Sequence, residues 1–199
     1  MTFDFETHGR SDVRRLQILD AMERLLDDIA FEKLTVKAIC ERAGIDRRTF
    51  YDYFDDKYAA IIWYWERLVG EPLKEAGRTL PYYDAAQKAY ENLEGHHALL
   101  SKATDLSEAK YQDLIPSVVR TYESWLRETV TEWHGLPMTN RLDVEVQIFA
   151  VGVTHLSVQW MLDGMAIPPE EMARYVDGSV PAHLHELLSS TATSNDSGQ

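Results

Sequence analysis

The sequence predicts an all-α fold, and three observations carry that expectation. Apolar residues recur at helical spacing along most of the chain. No window sustains the alternation of a half-buried strand. Glycine and proline are sparse, 10 and 7 among 199 residues, and mark the boundaries between helical runs. With 45% hydrophobic and 11% aromatic residues, the chain can build a substantial core. Its length suits one large domain, or a small domain joined to a medium one.

Ser11 or Asp12 can cap a first helix running to about Ile29. Ile18, Met22, Leu25 and Ile29 fall at i, i+4, i+7 and i+11, one buried stripe, and Phe31 and Leu34 cover its exit. Thr35 is a good N-cap for a short second helix, "VKAICERA", whose Val36, Ile39 and Cys40 face inward. Gly44 stands where a left-handed residue is needed after that helix, and Ile45 fills the turn. Asp46 then caps a third helix, "RRTFYDYF". Asp55 and Asp56 end it, and Asp56 caps a long fourth helix, "KYAAIIWYWERLV", reaching Gly70. Further helices are expected over 81–93, 97–103, 111–133, 142–162 and 169–188, about nine in all. Gly95, Gly135, Pro137, Gly164, Pro168 and Pro169 punctuate them. The implied organisation is a helix-turn-helix domain over 1–56, a larger helical domain over 57–190, and a polar, frayed tail over 191–199.

The short second helix, the glycine turn and the short third helix make a helix-turn-helix. Such a turn sets the two helices at a steep angle, so the second can project from the body. Phe50 and Phe54, one turn apart, anchor the third helix inward. That leaves Arg47, Arg48, Thr49, Tyr51 and Tyr53 for its outer face and flanks. Arginine pairs bidentately with guanine or phosphate, and threonine and tyrosine hydroxyls reach phosphate oxygens. Lys57 starts the fourth helix, where the helix dipole reinforces a phosphate contact. Thr35 and Lys37 start the second helix and can grip the backbone across the groove.

A net charge of −13 argues against a nonspecific nucleic-acid coat, because phosphate binding needs local positive charge. The distribution qualifies this. Residues 1–70 hold 11 of the 20 Lys and Arg and 14 of the 33 Asp and Glu, a net of −3. The rest of the chain therefore carries −10. Total charge governs solubility and steering, whereas local charge governs a contact. One cysteine, Cys40, precludes an intrachain disulfide, which suits a reducing cytoplasm. The opening "MTFDFETHGRSD" has no apolar signal region, and no stretch reaches the length of a membrane span, so a cytoplasmic protein without membrane contact is expected.

The stretch at residues 18–61 resembles the DNA-binding domain of the TetR family of bacterial transcription regulators. "TVKAICERAGI", then "TFYDYF", then Lys57 carry the resemblance, and "FEKLTV" and "RRTFYDYFDDKY" look closest to its DhaS-like branch. The resemblance implies three N-terminal helices for DNA, a C-terminal helical domain for an effector, and a symmetric homodimer. Carried over residue by residue, Thr35, Lys37, Arg47, Arg48, Thr49, Tyr51, Tyr53 and Lys57 match the family's DNA-facing positions. Arg48 departs from the pattern, standing where many members carry a small residue. Cys40 likewise occupies a position usually filled by a small residue, and packing is its expected role.

The C-terminal part holds no motif of comparable strength. Aromatic residues are spread over several helices and suit core packing more than a pocket. If they line an apolar cavity, Trp63, Tyr90, Trp125, His155 and Trp160 are the candidates. Adjacent His96 and His97, and the pair His183 and His185, have poor spacing for chelation. No Cys/His cluster has zinc spacing, and no metal or cofactor is implied. A phosphate loop, a nucleophile elbow and a metal-ligand run are all missing, so the sequence is not that of an enzyme. The segment 144–162 is apolar around much of its circumference, with Phe149, Val153, Leu156 and Trp160 on one stripe and Gly152 and Ser157 small enough for close approach. Family resemblance makes this helix and the last one a four-helix dimer interface.

The expected function is thus an effector-responsive repressor that binds a palindromic operator as a homodimer and answers an unknown small molecule. The alternative is a DNA-bound co-regulator, an activator, that answers a protein partner. A third reading, a helical binding module without operator binding, is opposed by Arg47, Arg48 and Lys57.

Overall fold

The computed structural model describes residues 10–103 and 111–190, so the tail at 191–199 lies outside the described residues. The chain divides into two compact units. Among the described residues, the first draws on 10–65 and 96–103, the second on 66–95 and 111–190. Apart from an isolated bridge between Ala76 and Leu80, the regular elements among the described residues are helical.

The first unit contains α1 (Arg10–Leu25), a 3-10 turn (Phe31–Lys33), α2 (Val36–Ala43), α3 (Arg47–Tyr51) and α4 (Lys57–Trp65). The cap expected at residue 11 or 12 does not mark the start of α1. The helix already runs through both residues, and Asp12 pairs with Arg15 one turn on at 3.3 Å. Helix α1 also stops at Leu25, short of Ile29. Its buried face is led by Leu16, Ile18, Leu19 and Met22, while Leu25 and Ile29 are half-buried. Two of the four expected stripe residues, Ile18 and Met22, are thus fully buried, and the core face widens to take in Leu16, Leu19 and Leu26. Helix α4 packs on α1 and buries Ala60, Ile61 and Tyr64, which places the division of the chain after Trp65 rather than after Asp56.

The second unit opens on a π-helical turn (Glu66–Gly70) and the short α5 (Glu71–Lys74). Next come α6 (Tyr82–Ala103) and α7 (Tyr111–Glu128), which runs into a second π turn (Thr129–Trp133). Helices α8 (Asn140–Leu162), α9 (Pro169–Asp177) and α10 (Ala182–Ser189) complete it. Helix α6 joins the two segments expected over 81–93 and 97–103, but its backbone breaks at His96, with φ −128° and ψ 18°. Its residues up to Gly95 belong to the second unit and those from His96 to the first. The single helix expected over 169–188 is two. Pro181 lacks the N–H that a helix needs and disfavours helical backbone at Val180, so the chain turns through 178–181 before α10 begins. Helix α7 packs along α8, and α8 touches α10. At Gly70 a Cβ would stand 2.3 Å from Cη2 of Trp125, so the absence of a side chain is what lets the indole lie there.

Candidate nucleic-acid interface

Local chemistry fixes both ends of the helix-turn-helix. Thr35 Oγ1 accepts from Ala38 N at 3.2 Å and caps α2. Gly44 ends α2 at φ 65°, a left-handed conformation that costs glycine little. Asp46 Oδ1 accepts from Thr49 N at 2.6 Å and caps α3, and this bond holds the Asp46 carboxyl below the usual range. Phe50 and Phe54 are buried with ring centroids 6.1 Å apart, so α3 is pinned on one side.

Its other side is open. Arg47 and Arg48 are exposed, Thr49 is half-buried and Tyr51 is 48% exposed. The Arg47 guanidinium lies over the Tyr51 ring at 6.0 Å, with Nη2 3.5 Å from its hydroxyl. Lys37 projects from the first turn of α2, with only a loose exposed pair to Glu41 at 3.8 Å. Four of the expected groups thus lie on α3, and two more, Thr35 and Lys37, lie at the start of α2.

Tyr53 and Lys57 have further duties. Tyr53 is half-buried beneath the Arg15 guanidinium, which sits 5.6 Å from its ring and 5.4 Å from that of Trp63. Lys57 Nζ donates to Phe31 O at 2.5 Å and Glu32 O at 3.0 Å, and lies 4.5 Å from the Phe31 ring centroid. This ammonium ties the start of α4 to the turn before α2, a role beyond the expected phosphate contact. The cap expected of Asp56 is present, its Oδ1 accepting from Tyr58 N and Ala59 N, each at 2.8 Å.

Sequence reasoning missed a brace under the motif. Gln17 Nε2 donates to Ala43 O at 2.6 Å, satisfying a carbonyl at the end of α2. Arg14 Nη1 in turn donates to Gln17 Oε1 at 2.6 Å. The partners are 26 residues apart, and no local pattern announces them.

The five expected pocket residues do not form one group. Trp63 belongs to the first unit and packs against Phe54 at 6.0 Å. His155 is exposed on α8, a correction to its assignment as pocket lining. Tyr90 and Trp160 are buried neighbours, with centroids 5.2 Å apart, and burial pushes the Tyr90 phenol up to about 12. Trp160 Nε1 donates to Ile167 O at 2.8 Å. Trp125 is buried elsewhere in the same unit, beside Tyr122, with centroids 6.3 Å apart.

The expected interface stripe is also corrected. Phe149, Val153 and Trp160 lie in the protomer's own core, and only Leu156 faces out, at 46% exposure. The outward apolar face of α8 is instead Val144, Ile148, Val151 and Leu156, with Ile148 67% exposed. Gly152 lies among them with nothing within 4 Å of where a Cβ would be. Helix α10 flanks α8 through His183 Nδ1, 3.2 Å from Glu145 Oε1.

Residues 18–61 match the family described as bacterial regulatory proteins, tetR family. The HTH-type transcriptional regulator EthR of Mycobacterium tuberculosis is 38% identical over 60 residues, which cover 30% of this chain and 28% of that protein. The match thus spans under a third of this curated relative. Among solved structures, the dihydroxyacetone kinase operon activator DhaS has a TM-score of 0.62 at 14% identity, covering 90% of this chain and 99% of that one. The TetR family repressor AlkX from Dietzia sp. strain DQ12-45-1b, implicated in biodegradation of n-alkanes, gives 0.57 at 16% identity, with 87% and 99% covered. At these identities the likeness is one of fold.

Proposed function

We propose that this chain, which belongs to the tetR family and is a transcription regulator rather than an enzyme, is a repressor that binds a palindromic operator as a homodimer. The observation that carries the reading is α3. It is capped by Asp46, pinned by Phe50 and Phe54, and presents Arg47, Arg48 and Tyr51 outward, with Thr49 half-buried beside them. Arginines read guanine edges in the major groove, and the neighbouring hydroxyls hold phosphate. Thr35, Lys37, Tyr53 and Lys57 add backbone grip around this helix. One such helix reads too few base pairs to specify a site, so two copies act together.

The outward face of α8, beside α10, supports a second copy as the covering partner. Release from DNA is driven by a small molecule held in the second unit, where Tyr90, Trp125 and Trp160 are buried. The deciding experiment is to sequence genomic fragments retained by the purified protein, alongside an Arg47→Ala/Arg48→Ala variant. Palindromic sites enriched by the native protein and lost in the variant are expected. Equal recovery of the same sites by both proteins would remove α3 from the groove.

A further inference from the structure

Two buried hydroxyl systems in the second unit differ in how their protons are matched. In one, Tyr90 Oη lies 2.9 Å from Ser157 Oγ, and Ser157 Oγ donates to Val153 O at 2.7 Å. The serine proton goes to the carbonyl, so Tyr90 donates to the serine and both protons have acceptors. In the other, Tyr82 Oη and Tyr122 Oη lie 2.8 Å apart. That pair holds two protons and one hydrogen bond. Its second proton meets no acceptor among the described residues, although Tyr82 is 1% and Tyr122 2% exposed. A buried donor without a partner is costly, and such groups are rare in folded proteins.

The surroundings limit what could accept that proton. Phe149 lies edge-on to Tyr82, with centroids 5.4 Å apart, and Trp125 lies 6.3 Å from Tyr122. Among the described residues no charged residue is buried as a whole, although Glu145 Oε2 is, and Thr129 and Thr154 are the buried hydroxyl residues besides tyrosines. Burial raises the Tyr82 phenol well above its ordinary value, and the nearby Tyr122, Tyr90 and Asp177 push the same way, so the proton stays in place. An anion here would meet Asp177 and no buried cation.

We infer that the Tyr82–Tyr122 pair is where the second unit recognises its effector, an uncharged molecule whose hydrogen-bond acceptor, such as a carbonyl oxygen, takes the unmatched phenolic proton. The apolar part of that molecule lies among the rings of Phe149 and Trp125. The inference rests on the effector-responsive reading above and specifies the chemistry of its ligand.

Three compounds of similar shape test it on the full chain. Acetophenone is uncharged and carries an acceptor, ethylbenzene is uncharged without one, and benzoate is charged. Binding is followed by tryptophan fluorescence and calorimetry. Acetophenone should bind about three- to tenfold more tightly than ethylbenzene, and benzoate most weakly. Tyr82→Phe/Tyr122→Phe replaces both partners by apolar groups of the same shape. Its melting temperature without ligand should not fall, and the advantage of acetophenone should vanish.

Equal binding of acetophenone and ethylbenzene, tighter binding of benzoate, no binding of any of the three, or an advantage surviving in the double variant would each overturn the inference. If the double variant does not fold, the ranking by the native protein decides. An organic extract of the source cells, applied to the operator complex, separates the two levels. Release from native and double-variant protein alike keeps an effector but places its recognition elsewhere. No release from the native protein removes the effector reading itself.

Discussion

Arg47 and Arg48 are adjacent on α3, yet their surroundings differ. Arg47 rests on the Tyr51 ring, which narrows the positions its guanidinium can take before it meets DNA. Arg47→Ala and Arg48→Ala should each weaken operator binding, by about 1–3 kcal/mol where the arginine pairs bidentately with guanine. Titration of the operator and of single-base variants at fixed salt measures both the loss and any relaxed base preference. Lys57 makes a different prediction. Its bonds to Phe31 O and Glu32 O exist without DNA. Lys57→Ala should therefore lower the melting temperature of the free protein, by an amount corresponding to about 1–3 kcal/mol. A lysine serving phosphate alone would leave that temperature unchanged. The sequence makes Lys57 legible as a cation at a helix start. It does not make the two carbonyls legible, because Phe31 and Glu32 come near only through the fold. Gln17 is hidden in the same way, since its partner Ala43 O belongs to another helix.

Helices α2 and α3 are the most legible elements, because their signals are local. Thr35, Gly44 and Asp46 each act within a few residues of themselves, and each does what its chemistry requires. Helix α8 is the opposite case. It is apolar around most of its circumference, so the i, i+4, i+7 pattern occurs on more than one face. Sequence periodicity finds both faces and cannot rank them. The face centred on Phe149 turns inward against Tyr82 and Tyr122, and the face centred on Ile148 turns outward. The two should respond differently to mutation. Phe149→Ala should destabilise the protomer by about 3–5 kcal/mol, read as a lower melting temperature. Ile148→Glu and Leu156→Glu should leave each protomer folded, as judged by circular dichroism, and shift sedimentation to the monomer. Intact dimers in both variants would place the interface elsewhere. The break between α9 and α10 was legible at Pro181 but is easily overlooked, since the apolar residues on either side keep helical spacing.

For the whole molecule, charge is unevenly distributed along the chain. The first 70 residues carry a net of −3 and the rest −10, so on the proposed reading phosphate would be drawn to Lys37, Arg47 and Arg48 and repelled by the more acidic remainder. Salt screens both, but the contacts to phosphate release counterions and dominate the response. Operator affinity should fall with rising salt, on a log–log slope of about −0.9 for each phosphate neutralised. Lys37→Ala should flatten that slope by about one unit without changing base preference. A native slope near zero would mean that the cations of α2 and α3 do not face phosphate. The all-α class and the order of the elements were legible in composition and spacing. The allocation of α4 and of the residues after His96 to the first unit was not, because it depends on contacts distant in sequence.

The outward stripe of Val144, Ile148, Val151 and Leu156 has a bearing on gene dosage. If a second copy covers this surface, as proposed, a newly made copy displays it until the two meet, and in that interval it is a substrate for chaperones and proteases. On that reading scarcity would be self-reinforcing, since a cell with few copies would lose them fastest, and abundance would protect itself. It also gives a defective allele a way to do harm. A copy with an intact stripe but without Arg47 and Arg48 would still capture healthy copies, and a modest excess of it would silence a normal gene beside it.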